Sequence, residues 1–372
     1  MCAPKSERIS VVNANRRKHL RANLLMLVAA LIWGSAFVAQ RLSLDAIGPF
    51  LFTGLRFLLG ATVVFGLLVY LRHARPGDES VMTARPVSRE LLVSGALLGL
   101  LLSVAISMQQ IGLQYTKVAN AGFISSLYVV IVPLMGVLAR HETAIGTWLG
   151  ALLAAIGMYF LSVSDHFSIL YGDWYQLAGA FVIAAQVMLV GRFARRHDPL
   201  MLALVQFVTC GVVCLALGLV FEPLTLASLA RAAPTILYGG ALSVGVAYTI
   251  QVVAQKDAAP AHAAVIFSME GVFAALASWL VLGETLSGRA LSGCVLMLTG
   301  LIVCQVMPAW EGRRQAAASS IGQGGGAAVE GRRAPAHVTA FSPMSIGQAS
   351  AQKTVMLRVI PAPDRTYGRT YT

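Results

Sequence analysis

Glu270 is the residue whose type and position most directly suggest chemistry. It lies in the apolar stretch "AAVIFSMEGVFAALASWLVLGE", residues 263–284, about 2–3 Å from the middle of a predicted membrane span. A charged carboxylate at the bilayer centre costs about 2.5–3.5 kcal/mol even on the mildest insertion scale. Two interpretations follow: a protonatable or cation-facing group in a transport cavity, or an acid that stays protonated and bonds to a neighbouring helix.

Three further polar residues occupy predicted spans. Arg56 is the basic residue deep inside a span, where it could line a cavity, facing Glu270 or an anionic substrate group, or snorkel to the outer interface. Gln109 and Gln251 lie near the ends of two spans. Amide side chains there either hold helices together by hydrogen bonds or line the cavity.

Long apolar runs, which must position these residues, make up most of the chain. Of 372 residues, 57% are hydrophobic and 12% are charged, whereas soluble domains carry about 25% charged residues. Because a bilayer needs about 20 apolar residues per helix, the sequence predicts an all-α integral membrane protein with ten transmembrane helices. The predicted spans are 22–40, 50–71, 91–113, 118–138, 144–163, 174–192, 199–221, 234–254, 261–282 and 287–307.

The distribution of Lys and Arg predicts the orientation. With the N-terminus inside, the inner segments hold 15 of these residues before the tail and the outer loops hold 4, so both termini are expected to be cytoplasmic. Most of the formal net charge of +12 thus reflects topology rather than nucleic-acid binding.

The chain contains an internal repeat. A shift of 142 residues places "AGFISSLYVVIVPLMGVLARHETAIGTWL" over "AAVIFSMEGVFAALASWLVLGETLSGRAL", including Glu142 over Glu284 and Gln109 over Gln251. Before the inner loop the shift becomes 150 and pairs Arg56 with Gln206. Five spans per repeat is an odd number, so the second repeat has inverted topology, as in many secondary transporters.

These patterns divide the chain into four predicted regions. They are a basic cytoplasmic N-terminus (1–21), two five-helix repeats (22–163 and 174–307) and a disordered basic cytoplasmic tail (308–372). The tail contains "QAAASSIGQGGGAAVEGRRAPAHV", a composition that cannot bury enough apolar surface to fold alone.

The repeat also relates Tyr128 to Glu270. Tyr128 is therefore expected on the same cavity lining, and Trp33, another aromatic residue inside a span, joins it as a candidate; core packing is the alternative for both. The predicted substrate-binding and coupling residues are Glu270, Arg56, Trp33, Tyr128, Gln109 and Gln251.

The stretches "ALIWGSAFVAQRLSLDAIGPFLFTGLRF", "AGFISSLYVVIVPLMG" and "AAVIFSMEGVFAALASWLVLGETLSGRALSG" resemble the EamA-type members of the drug/metabolite transporter superfamily. The resemblance covers residues 22–307 and implies a ten-helix transporter, mostly of bacterial inner membranes, often exporting amino acids or other small metabolites. Gly271 departs from the family, in which a proline is expected after the acid, and this predicts a less kinked helix.

The sequence therefore predicts a secondary transporter that works by alternating access with proton coupling. An intramembrane enzyme or a membrane scaffold or receptor is the alternative, but no G-x-S-x-G, H-E-x-x-H or Cys/His cluster is present. No cofactor and no metal are expected. The expected partners are a small-molecule metabolite, protons and the lipid bilayer, and a homodimer is compatible with this prediction.

Overall fold

The computed structural model describes residues 5–74, 88–116, 118–138, 144–162, 171–283, 287–289, 291–304 and 306–307. Within these parts of the chain all regular structure is helical, as predicted. The helices are α1 (Lys5–Ser43), α2 (Pro49–Ala74), α3 (Arg89–Gly112), α4 (Val118–Ser126), α5 (Tyr128–Leu138), α6 (Ile145–Ser162), α7 (Tyr171–Phe193), α8 (Pro199–Phe221), α9 (Leu226–Leu237), a π-helical segment (Tyr238–Tyr248), α10 (Thr249–Gln255), α11 (Pro260–Phe267), α12 (Glu270–Leu282) and α13 (Leu291–Cys304). The predicted tail at 308–372 and the repeated acids Glu142 and Glu284 lie outside the described residues.

The helices have the length and surface of membrane spans. In the described parts of the chain, eight helical segments are long and apolar enough to cross a bilayer, and two shorter apolar helices, Ile145–Phe160 and Leu291–Cys304, coincide with the other two predicted spans. Large apolar side chains on these helices are exposed, for example Leu280 at 72% and Ile302 at 60%. Because soluble monomers rarely expose extensive apolar patches, this surface faces lipid. The chain is a multi-pass membrane protein.

The fourth and ninth predicted spans are each interrupted near their middle, at positions that the 142-residue shift relates. The Leu127 N–H donates to the Ile124 carbonyl at 3.2 Å, and the Met269 N–H donates to the Ile266 carbonyl at 3.2 Å. Both bonds reach back three residues instead of the four of an α-helix. The local tightening separates α4 from α5 and α11 from α12.

The next helix in each pair begins at a candidate site residue. Tyr128 is the first residue of α5 and Glu270 is the first residue of α12. The expectation of a less kinked ninth span, based on Gly271, stays a prediction, although the helix is interrupted just before Glu270 in the absence of a proline. The i→i−3 bond at Met269 produces the interruption without a proline.

The eighth span differs from the regular helix predicted for residues 234–254. It runs over Leu226–Gln255 and contains the π-helical segment Tyr238–Tyr248. Three glycines in this segment lie against α2, where a Cβ on Gly240 would come within 2.6 Å of Leu59. Long π-helical stretches are rare and occur mostly at functional sites, so this segment is a candidate part of the site.

Helices of the two halves pack directly on each other. The most extensive contacts join α2 to α8, α3 to α7 and α8, and α1 to α12. Small residues allow this approach, because a Cβ on Gly54 would lie 2.5 Å from the Leu215 backbone nitrogen and one on Gly99 would lie 2.6 Å from the Gln206 carbonyl oxygen. Without a hydrophobic driving force between helices in lipid, such close packing is a main source of association.

Candidate functional site

All six residues predicted from the sequence line one cavity. They come from α1, α2, α3, α5, α10 and α12, and therefore from both halves of the chain. The cavity volume is about 40 Å³, which is room for about three water molecules. The full lining is Trp33, Phe37, Gln40, Arg56, Leu102, Gln109, Tyr128, Ile183, Gln186, Val187, Ser243, Tyr248, Gln251, Phe267 and Glu270.

Glu270 is buried, with 6% of its surface exposed. It occupies the first turn of α12, where the helix dipole favours an acidic side chain. Ser126, at the end of α4, donates a hydrogen bond from Oγ to Oε1 at 3.2 Å. The helix interruption and this hydroxyl thus offset part of the cost of the carboxyl group, and the bond joins the two interrupted spans.

Tyr128 lines the same cavity as Glu270. The 142-residue shift relates the two residues, and it predicted this shared lining. The Tyr128 side chain is 3% exposed. The buried hydroxyl has no hydrogen-bond partner among the described residues. The hydroxyl nevertheless lies close enough to the Glu270 carboxyl group to interact with it, so the two residues that the repeat relates share one part of the cavity.

Arg56 is enclosed in the protein and does not snorkel, since only 1% of its surface is exposed. One guanidinium nitrogen donates to Gln40 Oε1 at 3.4 Å, and Nε has no partner among the described residues. The guanidinium carbon lies 5.0 Å from the ring centroid of Phe52 and 5.6 Å from that of Phe57. In the described part of the chain no carboxylate forms an ion pair with Arg56, and Arg56 and Glu270 line the same cavity.

Gln109 takes part in a hydrogen-bonded group that joins α3, α4 and α7. Its amide nitrogen donates to Ser125 Oγ at 3.2 Å, and its backbone carbonyl accepts a bond from the Gln176 amide at 2.8 Å. Ser125 in turn donates to Gln176 Oε1 at 2.8 Å. Gln109 therefore has the interhelical role that the sequence left open as well as a place on the cavity wall.

Gln251 occupies the equivalent place in the second half and is less completely bonded. Its amide nitrogen donates to Gln186 Oε1 at 3.2 Å. Gln251 Oε1 and Gln186 Nε2 have no partner among the described residues. This pair thus offers one free acceptor and one free donor beside the cavity.

Trp33 forms an aromatic part of the lining. Its ring centroid is 4.6 Å from that of Tyr248 and 5.2 Å from that of Phe267. The indole N–H donates to the Ser243 carbonyl oxygen, in the π-helical segment, at 3.3 Å. Trp33 therefore both packs in the core and fixes the π-helical segment to α1.

Several lining residues were not predicted from the sequence. Gln40 and Gln186 are amides inside spans, so their polarity was a signal that could have identified them. Phe37 and Phe267 carried no such signal. An apolar residue in a span is equally expected on a cavity wall, in the core and against lipid, so its type does not distinguish these positions.

Outside the cavity, His262 is partly buried. Its Nε2 lies 3.1 Å from Asn23 Oδ1 and its Nδ1 lies 3.3 Å from Cys304 Sγ. The described residues contain no group of three or more His, Cys, Asp or Glu side chains that could hold a metal ion. The contacts of His262 therefore serve to join α1, α11 and α13.

Comparisons with known proteins agree with the helical membrane fold. The model of the EamA-like transporter family matches the chain twice, over residues 20–163 and 170–304. An "Uncharacterized transporter" of Archaeoglobus fulgidus is 31% identical over 291 residues, which cover 77% of this chain and 86% of the relative. Another "Uncharacterized transporter", from Methanothermobacter thermautotrophicus, is 22% identical over 80% of this chain and 88% of its own length.

A solved crystal structure also resembles the chain. It aligns with a TM-score of 0.60 and 21% identity, covering 77% of this chain and 97% of the other. An identity this low shows similarity of fold alone. The two matches of the family model extend over most of the sequence, and the 31% identical relative is covered over most of its length. The chain belongs to the EamA-like transporter family.

Proposed function

We propose that this transporter exports amino acids or other small metabolites or drugs by alternating access, with proton coupling through Glu270. The observation that carries the proposal is the cavity itself. Side chains from both halves of the chain, with one carboxyl group and one guanidinium among the described lining residues, meet in a single enclosed space. Intramembrane ionisable residues that face such a space commonly mark substrate or proton pathways.

The proposed architecture is ten spans in two inverted five-span repeats, within the inner membrane and with both termini cytoplasmic. The two successive family matches, 20–163 and 170–304, support the repeat. The equivalent i→i−3 bonds at Leu127 and Met269 support it independently, because unrelated helices have no reason to be interrupted at positions 142 residues apart. The excess of Lys and Arg in the inner segments supports the orientation.

The small size of the cavity supports alternating access. A volume of about 40 Å³ holds water molecules but not a metabolite, so substrate binding requires helices of the two halves to separate. The interruptions before Tyr128 and Glu270 and the π-helical segment Tyr238–Tyr248 border the cavity. These are the places where a small change of backbone geometry would alter the lining.

Proton coupling rests on Glu270. The carboxyl group is buried in the cavity wall, and its hydrogen bond from Ser126 is compatible with either the charged or the protonated form. Because a charge at this depth is costly, exchange of a proton for a substrate group would change the relative stability of the cavity's open and closed forms. A gradient could then drive transport without nucleotide hydrolysis.

The test is proton flux in liposomes that contain the purified protein, under an imposed pH gradient, while amino acids and small cationic drugs are added in turn. We expect at least one compound to trigger proton movement in the wild type and not in Glu270→Gln. Glu90→Gln is the matched control, because Glu90 is an exposed acid in the first turn of α3. Substrate counterflow that persists unchanged in Glu270→Gln, with the same pH dependence, would refute the proton role.

Two other outcomes distinguish the alternatives. Covalent turnover of a lipid or peptide by the purified protein would favour an intramembrane enzyme. Loss of every phenotype on deletion of the tail, with the helical part intact, would favour a scaffold or receptor.

A further inference from the structure

The cavity contains a cation, Arg56, that forms no ion pair with any acidic residue among those described. Arg56 is 1% exposed, its Nε has no partner among the described residues, and its hydrogen bond to Gln40 is 3.4 Å long. The rings of Phe52 and Phe57 lie near the guanidinium, but an aromatic face only partly replaces an anion. A buried charge is normally paired and fully hydrogen-bonded, so this site lacks a negatively charged partner.

Two acids of the same protein show how charged groups with a structural role are hydrogen-bonded. Glu222 accepts hydrogen bonds from the backbone N–H groups of Phe50 and Leu51, both at 2.8 Å. Asp173 accepts one from Thr116 at 2.6 Å. These bonds are short, whereas the one bond described for Arg56 is at the limit of hydrogen-bond distance. Arg56 therefore differs from the charges that stabilise the structure.

The repeat indicates that the scaffold does not need a positive charge at this position. The equivalent residue in the second half is Gln206, which is neutral and fully buried. The helix α8 that carries Gln206 packs against α2 and α3 without a cation there. A positive charge is thus present at this position in the first half of the chain and absent at the equivalent position, Gln206, in the second half.

Besides Arg56, the unpaired groups at the cavity are one amide donor, Gln186 Nε2, one amide acceptor, Gln251 Oε1, and the Tyr128 hydroxyl. The Tyr128 hydroxyl and Gln186 Nε2 are buried without partners among the described residues, as is Arg56 Nε. A carboxylate accepts hydrogen bonds at two oxygens and can take a guanidinium in bidentate geometry. A phosphate with two charges would need a second cation, and Arg56 is the one basic residue among the described lining residues.

We propose that the substrate carries a single carboxylate group, which Arg56 binds in the cavity. The inference rests on the transport function proposed above and specifies its substrate class. The guanidinium supplies charge and paired donors, and Gln186 Nε2 on the lining supplies a further donor. The aromatic residues Trp33, Tyr248 and Phe267 face the remainder of the molecule.

The test compares acids with their own carboxamides, which have nearly the same size but no charge. The probes are amino acids and simple monocarboxylic acids, each paired with its amide, and the corresponding amines. Two measurements are made on the full chain: the rise in thermal unfolding midpoint in detergent, and counterflow of the labelled compound in liposomes. A ligand that binds only the folded state raises the midpoint by mass action, so binding is measured independently of transport.

We expect at least one acid to stabilise the wild type and to be transported, with its amide about 10- to 100-fold weaker, as for loss of hydrogen bonds to a charged group. Arg56→Gln, which copies the residue of the second half, should remove the difference between acid and amide. Arg56→Lys should retain part of it, since the charge remains without the fork geometry. Arg195→Gln, an exposed arginine outside the cavity, should behave as wild type.

The remaining outcomes separate the two proposals. Transport of amides or amines with no preference for acids, or an unchanged acid preference in Arg56→Gln, would overturn the carboxylate inference and leave the transport function standing. Absence of both stabilisation and counterflow for all probes would overturn both proposals. Stabilisation by an acid, lost in Arg56→Gln but without counterflow, would support the binding site and overturn transport of that acid.

Discussion

Gly34 provides the sharpest test of how the site is positioned. This glycine of α1 lies against the interrupted ninth span, where a Cβ would be 2.7 Å from the Glu270 carbonyl oxygen and 2.8 Å from the Ala274 backbone nitrogen. Both neighbours are backbone atoms, which cannot move aside by changing rotamer. Gly34→Ala therefore must push α12 away from α1 and displace Glu270.

The size of the effect follows from these distances. Ordinary contact begins at 3.4 Å, and the nearest atom, Phe273 Cβ, would lie only 2.4 Å from the new Cβ, so the helices must separate by about 1 Å. Overpacking of this kind costs about 1–3 kcal/mol. A displacement of about 1 Å lowers the rate of an enzyme by about 100-fold, and we expect proton-coupled transport to fall by about tenfold.

Gly66→Ala is the matched control, because no atom lies within 4 Å of a Cβ at that helical position. It should be neutral or stabilising by about 0.5–1 kcal/mol, since alanine favours a helix over glycine. Both variants are unfolded by a detergent titration followed by circular dichroism and are assayed in the same liposomes. Equal unfolding free energies and equal transport for the two variants would show that α1 does not position Glu270 through this contact.

Two further changes test contacts that join the halves of the chain. Glu222→Ala removes both acceptors for the Phe50 and Leu51 N–H groups at the start of α2 and should lower the unfolding free energy by about 2 kcal/mol. Glu222→Gln keeps one acceptor and should lose about half as much, and equal losses for the two would contradict this account. Trp33→Phe keeps a ring but removes the bond to the Ser243 carbonyl; a loss of about 1 kcal/mol is expected in the same unfolding titration, and none would show that this bond contributes nothing.

The sequence predicted the helical membrane class and the place of the candidate residues because both depend on polarity. A carboxyl group or guanidinium inside a long apolar run is conspicuous, and Glu270 and Arg56 were identified in that way. Tyr128 required the internal repeat, since one tyrosine in a span is not distinctive without its relation to Glu270. All three line the cavity.

The backbone irregularities were not predictable in the same way. The segment Tyr238–Tyr248 has the apolar, glycine-containing composition of an ordinary span, and its π-helical geometry arises where it packs on α2. The interruption at Met269 likewise lacks the proline that would have signalled it. Such features depend on contacts between distant parts of the chain, and one sequence contains no direct signal of those contacts.

The unpaired polar atoms of the described residues connect the stability of the protein with its proposed function. Arg56 Nε, the Tyr128 hydroxyl, Gln186 Nε2 and Gln251 Oε1 are all buried without protein partners, and all four residues line the cavity. Each such group costs about 1–3 kcal/mol when it is left unsatisfied. Water in the cavity can satisfy some of them. A carboxylate substrate would satisfy the donors together, so the groups that lower stability in the empty protein are those that would favour the substrate over water.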